Sequence, residues 1–240
     1  MKMEGQDAAR AFVATHFPNC LAAVLFGSVA RGEATPTSDL DIIIVTHEDI
    51  IPYRKSYREH GWFIEAFVGG RRYNEEKIRD FQGRHIPSFL SSYAEGVILK
   101  DQHDFARDLQ EKAIAILERG PDELTRQEID TYRYVITDWL DDFIDSKSYE
   151  ESLFIAYDLV AKVGEFLLAY NRKWLGERKG LYRALRKLDH ELSDQMIEEL
   201  KSFYQTGGKE DLIGVVVRVL DLVGGKLYEG YSRADTVPRT

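Results

Sequence analysis

Two apolar runs near the amino terminus constrain the fold of this chain more than any other feature of its sequence. They are Leu21 to Phe26 (LAAVLF) and Leu40 to Val45 (LDIIIV). Each has the length of a strand, and a nearly continuous apolar run is typical of a strand buried on both faces. The segment Gly32 to Ser38 (GEATPTS) between them is rich in turn-forming residues. The sequence therefore predicts two buried strands joined by a helical start at Ser28 and a polar loop.

The rest of the first half mixes helical and strand patterns. A helix is predicted before the first strand, a helical stretch after the second, then two further strands and a helix that Gly120-Pro121 breaks. In chain order these are Asp7 to Phe17, His47 to His60, Trp62 to Val68, Gly96 to Lys100 and Phe105 to Arg119. Strands flanked by helices indicate an α+β domain over residues 1–120.

The second half contains only helical patterns. Apolar residues recur with a period near 3.6 over roughly 126 to 146, 150 to 175, 179 to 190, 193 to 205 and 210 to 228. A block of helices after a mixed block is the pattern of two domains. The sequence therefore predicts a second, all-α helical bundle over residues 121–240.

Composition narrows the cellular setting and the class of ligand. Cys20 is the only cysteine and the formal net charge is −9, with the acidic excess mainly in the second half. A single cysteine fits a reducing compartment, and no run approaches the roughly 18 apolar residues of a membrane span. An acidic chain also lacks the clustered cations that a nucleic-acid surface requires. We therefore expect a cytoplasmic, soluble protein with a small, cationic ligand, and neither a nucleic-acid nor a membrane partner.

Three carboxylates form a candidate metal site. Asp39 and Asp41 open the second strand two residues apart, so they share one face of it and could hold Mg²⁺ through oxygen ligands. Glu65 is the only acid in the apolar run WFIEAFV, where an unpaired charge would be costly. Glu65 could be a third ligand or a general base that takes a proton from a hydroxyl group. The alternative for each acid is an exposed surface position.

The residues that follow the first strand form a candidate phosphate site. Gly27 has no side chain to block a phosphate, and Ser28 offers a hydroxyl and backbone N–H groups at a helix start. Arg31 lies about one helical turn further on and could contact phosphate oxygens, although it could equally pair with Glu33. Ser38, at the end of the loop, is the fourth candidate.

The segment FGSVARGEATPTSDLDIIIV, followed by IEAFV, resembles the signature of the DNA polymerase β-like nucleotidyltransferase superfamily. That signature is a Gly-Ser pair, a spacer, a strand with two carboxylates and a third carboxylate on a later strand. Gly27, Ser28, Asp39, Asp41 and Glu65 occupy those places, and the resemblance covers about residues 20 to 70. Here the third acid is Glu rather than the more usual Asp, which leaves its role as a ligand open. The helical half is similar in layout to kanamycin nucleotidyltransferase and other antibiotic adenylyltransferases.

The resemblance implies a fold, cofactors and a reaction. It implies a mixed-sheet nucleotidyltransferase core over residues 1–120 and a helical, acceptor-binding domain over residues 121–240. It further implies Mg²⁺, with two ions during turnover, and ATP or another nucleoside triphosphate as co-substrate. AMP would be transferred onto a hydroxyl of a small, cationic acceptor such as an aminoglycoside, with release of pyrophosphate.

The helix predicted near residues 126 to 146 has an acidic side opposite an apolar stripe. The acids are Asp138, Asp141, Asp142 and Asp145. This side could simply be solvated, or it could hold amino groups of a cationic acceptor, with Asp142 or Asp138 as the catalytic base. Lys179 could contact the triphosphate, or it could be a solvated loop residue.

Two other functions fit the same residues. One is transfer of AMP onto a protein, as in nucleotidyltransferases of toxin–antitoxin type. The other is a catalytically inactive nucleotide-binding interaction module that forms a homodimer through the helical bundle.

Overall fold

A computed structural model describes residues 2–81 and 86–232 of the chain. The chain divides into two compact units, Met1–Gly120 and Pro121–Thr240. Five strands, all in the first unit, and ten helices lie in the described ranges. No helix within these ranges has the length and apolar character needed to cross a membrane.

The first unit is built around one mixed sheet. Its elements are α1 (Gly5–His16), β1 (Ala22–Phe26), α2 (Gly27–Ala30), β2 (Leu40–Thr46), β3 (Tyr53–Glu59), β4 (Trp62–Gly70), α3 (Arg71–Arg79), α4 (Ser88–Ala94), β5 (Val97–Asp101) and α5 (Phe105–Arg119). The strand order is β3-β4-β2-β1-β5. Strands β2 and β4 are parallel, whereas the other neighbours are antiparallel. The predicted α+β class with a mixed sheet is confirmed.

The prediction of a helix over His47 to His60 is wrong, because this segment contains strand β3. Pro52 lacks the N–H that a continuing helix needs, and β3 pairs with β4 from Tyr53 to Glu59. As an edge strand β3 keeps most of its side chains exposed, so it shows no apolar alternation. His60 and Gly61 reverse the chain with φ of 53° and 81°, the combination that a two-residue hairpin requires. The short helices α3 and α4 were also not expected.

One face of the sheet packs on α1. Leu40, Ile42 and Ile44 of β2 are fully buried in the cluster that contains Phe12 of α1. Full burial of each such side chain stabilises the fold by about 1.5–3 kcal/mol. Because successive residues of a strand alternate faces, Asp41 lies on the face away from α1.

Helices α3 and α4 are held to the sheet by a buried hydrogen-bond chain. The Asn74 amide donates to the Gly70 carbonyl at 2.8 Å, and the Tyr93 hydroxyl donates to Asn74 at 2.8 Å. Burial raises the pKa of Tyr93 far above its ordinary value, so the phenol stays a neutral donor.

The second unit is helical, as the sequence predicts. Its elements are α6 (Arg126–Asp145), α7 (Tyr149–Tyr170), α8 (Lys179–Leu188), α9 (His190–Thr206) and α10 (Glu210–Asp221). Thr125 and Glu128 form a capping box that begins α6. Helix α10 ends earlier than expected, and Arg133 of α6 donates to the carbonyl oxygens of Gly224 and Gly225 beyond it.

Candidate active site

The carboxylates of Asp39, Asp41 and Glu65 meet on the sheet face away from α1. One oxygen from each lies within 4.8 Å of the other two. The parallel pairing of β2 with β4 places Asp41 directly beside Glu65, and Asp39 immediately precedes β2 on the same side. The register of two buried strands therefore produces this cluster.

The electrostatics of the cluster fit a bound cation. Burial raises the pKa of Asp41 from 3.8 to about 6, and repulsion from Asp39 and Glu65 adds to the rise. Nearby guanidinium groups of Arg54 and Arg31 oppose it. Hard divalent ions prefer sets of carboxylate oxygens, and a cation here would relieve the repulsion. The donor set thus fits Mg²⁺.

Arg54 is a site residue that sequence reasoning missed. Its guanidinium forms an ion pair with Glu65 across the antiparallel β3–β4 pair. The sequence pattern predicts a helix at this residue, in which a contact with Glu65 is not expected. The signal that could have located it is the His60-Gly61 turn, which brings residues on both sides of it together.

Gly27 fits against Asp41 so closely that no other residue could replace it without movement. Its φ is +82°, and a Cβ atom would lie 2.7 Å from an Asp41 carboxylate oxygen. Glycine adopts this conformation without steric cost and leaves the backbone open to a ligand. Gly27, directly after β1, thus lets the backbone pack closely against the acidic cluster.

Ser28 and Ser38 are brought together as neighbours. The Ser28 hydroxyl donates to that of Ser38 at 2.9 Å, and Ser38 accepts from the Thr35 N–H at 2.8 Å. These bonds close the loop between α2 and β2 beside the acids. A phosphate contact by either hydroxyl stays a prediction.

Arg31 is held by two carboxylates. It contacts Glu33 and Glu95, each at 3.2 Å. The pairing with Glu33 is the alternative that the sequence left open. A phosphate would have to compete with both acids for this guanidinium.

The candidates of the helical half lie in the second unit, outside the acidic cluster. Asp138, Asp142 and Asp145 are exposed on α6, and Lys179 is exposed at the first position of α8. Asp141 forms an ion pair with Lys226 at 2.6 Å. Catalysis by Asp142 stays a prediction.

The amino-terminal unit matches a known family. Residues 8–80 match the family model described as "Nucleotidyltransferase domain". The matched span contains Gly27, Ser28 and all three acids of the cluster. Residues 8–80 belong to the nucleotidyltransferase domain family. The predicted membership of the polymerase β-like superfamily is thereby confirmed, and the domain supports nucleotidyl transfer in general.

No curated protein matches the chain. Among solved structures, it is similar to a nucleotidyltransferase-like protein from Exiguobacterium sibiricum, with 11% identity and a TM-score of 0.48. That similarity covers 90% of this chain and 73% of the other.

Proposed function

We propose that the protein transfers AMP from ATP onto a hydroxyl group of a small acceptor and releases pyrophosphate. The observation that carries this proposal is the cluster of Asp39, Asp41 and Glu65 in a nucleotidyltransferase domain, with Gly27 packed against it. The buried free thiol of Cys20 is consistent with a reducing compartment, and we infer a cytoplasmic enzyme.

The three carboxylates would hold Mg²⁺. Bound there, the metal supplies positive charge at the phosphoryl group under attack and at the departing oxygens. Glu65 is close enough to the two aspartates to share a cation with them, which supports the role of ligand over that of base. Arg54 fixes the orientation of the Glu65 carboxylate.

The Gly27-Ser28 corner would accept the triphosphate. With no side chain at position 27, a phosphate can approach the backbone beside Asp41. Ser28 offers its hydroxyl at the same corner, and Arg31 supplies a guanidinium that could exchange its glutamate partners for a phosphate.

The direct test is nucleotide binding and transfer with purified protein. ATP should raise the melting temperature only when Mg²⁺ is present, since a ligand that binds the folded state stabilises it. Asp39→Ala and Asp41→Ala should abolish this shift and all transfer of labelled AMP, whereas Glu111→Ala, an exposed acid on α5, should change neither. An ATP shift that persists in EDTA, or turnover by either aspartate variant, would contradict the proposal.

The same assay separates the other two functions. Labelled protein in a host lysate, without a labelled small molecule, would favour protein AMPylation. Metal-dependent binding of ATP without label in any acceptor would favour an inactive nucleotide-binding module.

A polycationic acceptor such as an aminoglycoside is favoured by one observation, the exposure of Asp138, Asp142 and Asp145 on α6. Attraction between exposed charges is screened over about 8–10 Å. Kanamycin binding should therefore weaken as salt rises, and Asp138→Asn with Asp142→Asn should reduce it without changing ATP binding. Unchanged kanamycin titrations in the double variant would remove this support.

A further inference from the structure

The β3–β4 hairpin carries two guanidinium–aromatic pairs, one on each side of Glu65. The register places Arg54 opposite Phe67, Ser56 opposite Glu65, and Arg58 opposite Phe63. The guanidinium carbon of Arg54 lies 4.9 Å from the Phe67 ring centroid, and that of Arg58 lies 5.1 Å from the Phe63 ring centroid. Because the period of a strand is two, these side chains share the sheet face of the acidic cluster. We call them the hairpin face.

A cavity of about 430 Å³ adjoins the hairpin face at Phe67. Phe26, Ile43 and Phe67 form its floor, with the rings of Phe26 and Phe67 5.4 Å apart. The opposite walls come from α3 and α4, where the Lys77 ammonium lies 5.4 Å from the Tyr73 ring and 5.5 Å from the Phe89 ring. A volume of this size accommodates a small molecule.

The ionic side chains that line the cavity are cationic, in contrast to the acidic cluster on the same sheet face. Among the described residues that line the cavity, the ionic side chains are Arg54 and Lys77, and none is Asp or Glu. Arg54 is paired with Glu65, whereas Lys77 in the cavity lining and Arg58 further along β3 add positive charge. Cations over aromatic rings favour a ligand that offers both a flat ring and a negative charge.

The geometry of phosphoryl transfer indicates which ligand uses this surface. The attacking and leaving oxygens lie on opposite sides of the phosphorus. Across the sheet, Gly27-Ser28 follows β1, the aspartates lie on β2, Glu65 lies on β4 and Arg54 lies on β3. If pyrophosphate leaves toward Gly27-Ser28, the attacking hydroxyl arrives from the side of β4 and β3.

We propose that the hairpin face and its cavity bind the acceptor, and that this acceptor carries a planar ring and an anionic group. This proposal rests on the proposed nucleotidyl transfer and names its acceptor class. The charge of this acceptor is opposite to that of the polycationic acceptor that the exposed acids of α6 favour. The hairpin face has the stronger claim because it is continuous with Glu65, whereas Asp141 of α6 is already paired with Lys226.

A set of four probes tests both parts of the proposed acceptor. Guanosine 5′-monophosphate has a ring and a phosphate, guanosine has only the ring, ribose 5-phosphate has only the phosphate, and kanamycin is a polycation. Each is titrated calorimetrically into the full chain with saturating Mg²⁺ and α,β-methylene ATP, so that the donor site is filled. Guanosine 5′-monophosphate should bind about tenfold more tightly than any other probe. Equal affinities, or tightest binding of kanamycin, would overturn the proposal.

Exposed residues of the hairpin face allow variants that should fold normally. Phe63 is 61% exposed and Arg58 is exposed. Phe63→Leu and Arg58→Gln should each weaken guanosine 5′-monophosphate binding about threefold or more, with unchanged melting temperature. Lys55→Gln is the matched control, because Lys55 is on the same strand but points to the other face, over Tyr57. Equal effects of all three variants would contradict the assigned face.

The two proposals fail in different ways. No metal-dependent binding of α,β-methylene ATP would refute nucleotidyl transfer itself. Normal binding of that analogue, together with no preference for guanosine 5′-monophosphate, would refute only the acceptor class.

Discussion

At the residue scale, the requirements of the fold and of the site meet at Asp41. Its neighbours Leu40 and Ile42 are fully buried, so the strand cannot move to expose the carboxylate. The same strand register that buries the apolar residues sets Asp41 beside Glu65. The metal-free site therefore holds repelling acids in place, and a bound cation should stabilise the folded protein.

We expect Asp41→Asn to stabilise the metal-free protein at pH 7.5 and to leave its stability nearly unchanged at pH 3.5. The folded pKa of Asp41, about 6, is above its ordinary value of 3.8. The folded state therefore binds this proton more tightly than the unfolded state does. The stability that this tighter binding contributes at low pH is lost as pH rises from about 4 through 6. The upper limit is about 3 kcal/mol, and solvent screening of the partly buried side chain lowers it. Urea unfolding in EDTA at both pH values measures the difference.

The expectation is contradicted if the difference in free energy of unfolding between Asp41→Asn and the native protein does not increase with pH. A stabilisation equal at both pH values would indicate a packing effect rather than relief of charge.

Gly27→Ala should abolish metal-dependent ATP binding, and Gly32→Ala should not. Both glycines have positive φ, so alanine strains the backbone by about 1–3 kcal/mol at either position. Only at Gly27 would the new Cβ meet an Asp41 oxygen, at 2.7 Å, whereas nothing lies within 4 Å at Gly32. Thermal shifts with ATP and Mg²⁺ compare the two variants. An ATP shift that both variants keep would show that the close approach at Gly27 is not required.

At the element scale, burial decides what the sequence reveals. Strands β1 and β2 were predictable because apolar residues fill both faces, and the proximity of Asp39 and Asp41 followed from the period of a strand. Edge strand β3 was not predictable, because most of its residues are exposed and its sequence shows no apolar pattern. Consequently the Arg54–Glu65 pair and the hairpin face could not be predicted, although the acids could.

The buried Asn74–Tyr93 contact should be critical for the position of α3 and α4. Asn74→Ala leaves the Tyr93 hydroxyl and the Gly70 carbonyl without these partners, and each unsatisfied buried group costs about 1–3 kcal/mol. Tyr93→Phe removes only the donor to Asn74 and should cost less. Denaturant unfolding of both single variants and of the double variant measures the coupling. Additive costs in the double variant would show that the two residues act independently.

At the scale of the whole molecule, each unit has a hydrophobic core of its own. Phe12, Leu40 and Ile64 belong to the core of the first unit, and Phe143, Phe166 and Phe203 belong to the core of the second. The nucleotidyltransferase match, residues 8–80, lies entirely within the first unit. The family match and the helical bundle therefore occupy different parts of the chain.

This separation predicts the behaviour of the two halves when each is produced alone. A chain of about 120 residues buries enough surface to fold as an independent domain, so residues 1–120 and residues 121–240 should each melt cooperatively. The first fragment should keep the Mg²⁺-dependent ATP shift, because Asp39, Asp41, Glu65 and Gly27 all lie within it. The second should show no shift with ATP. Differential scanning calorimetry of both fragments, with and without Mg²⁺ and ATP, provides the measurement. If the first fragment folds but loses the shift, the helical unit must contribute residues to nucleotide binding, and Lys179 would then be the first residue to substitute in the full chain.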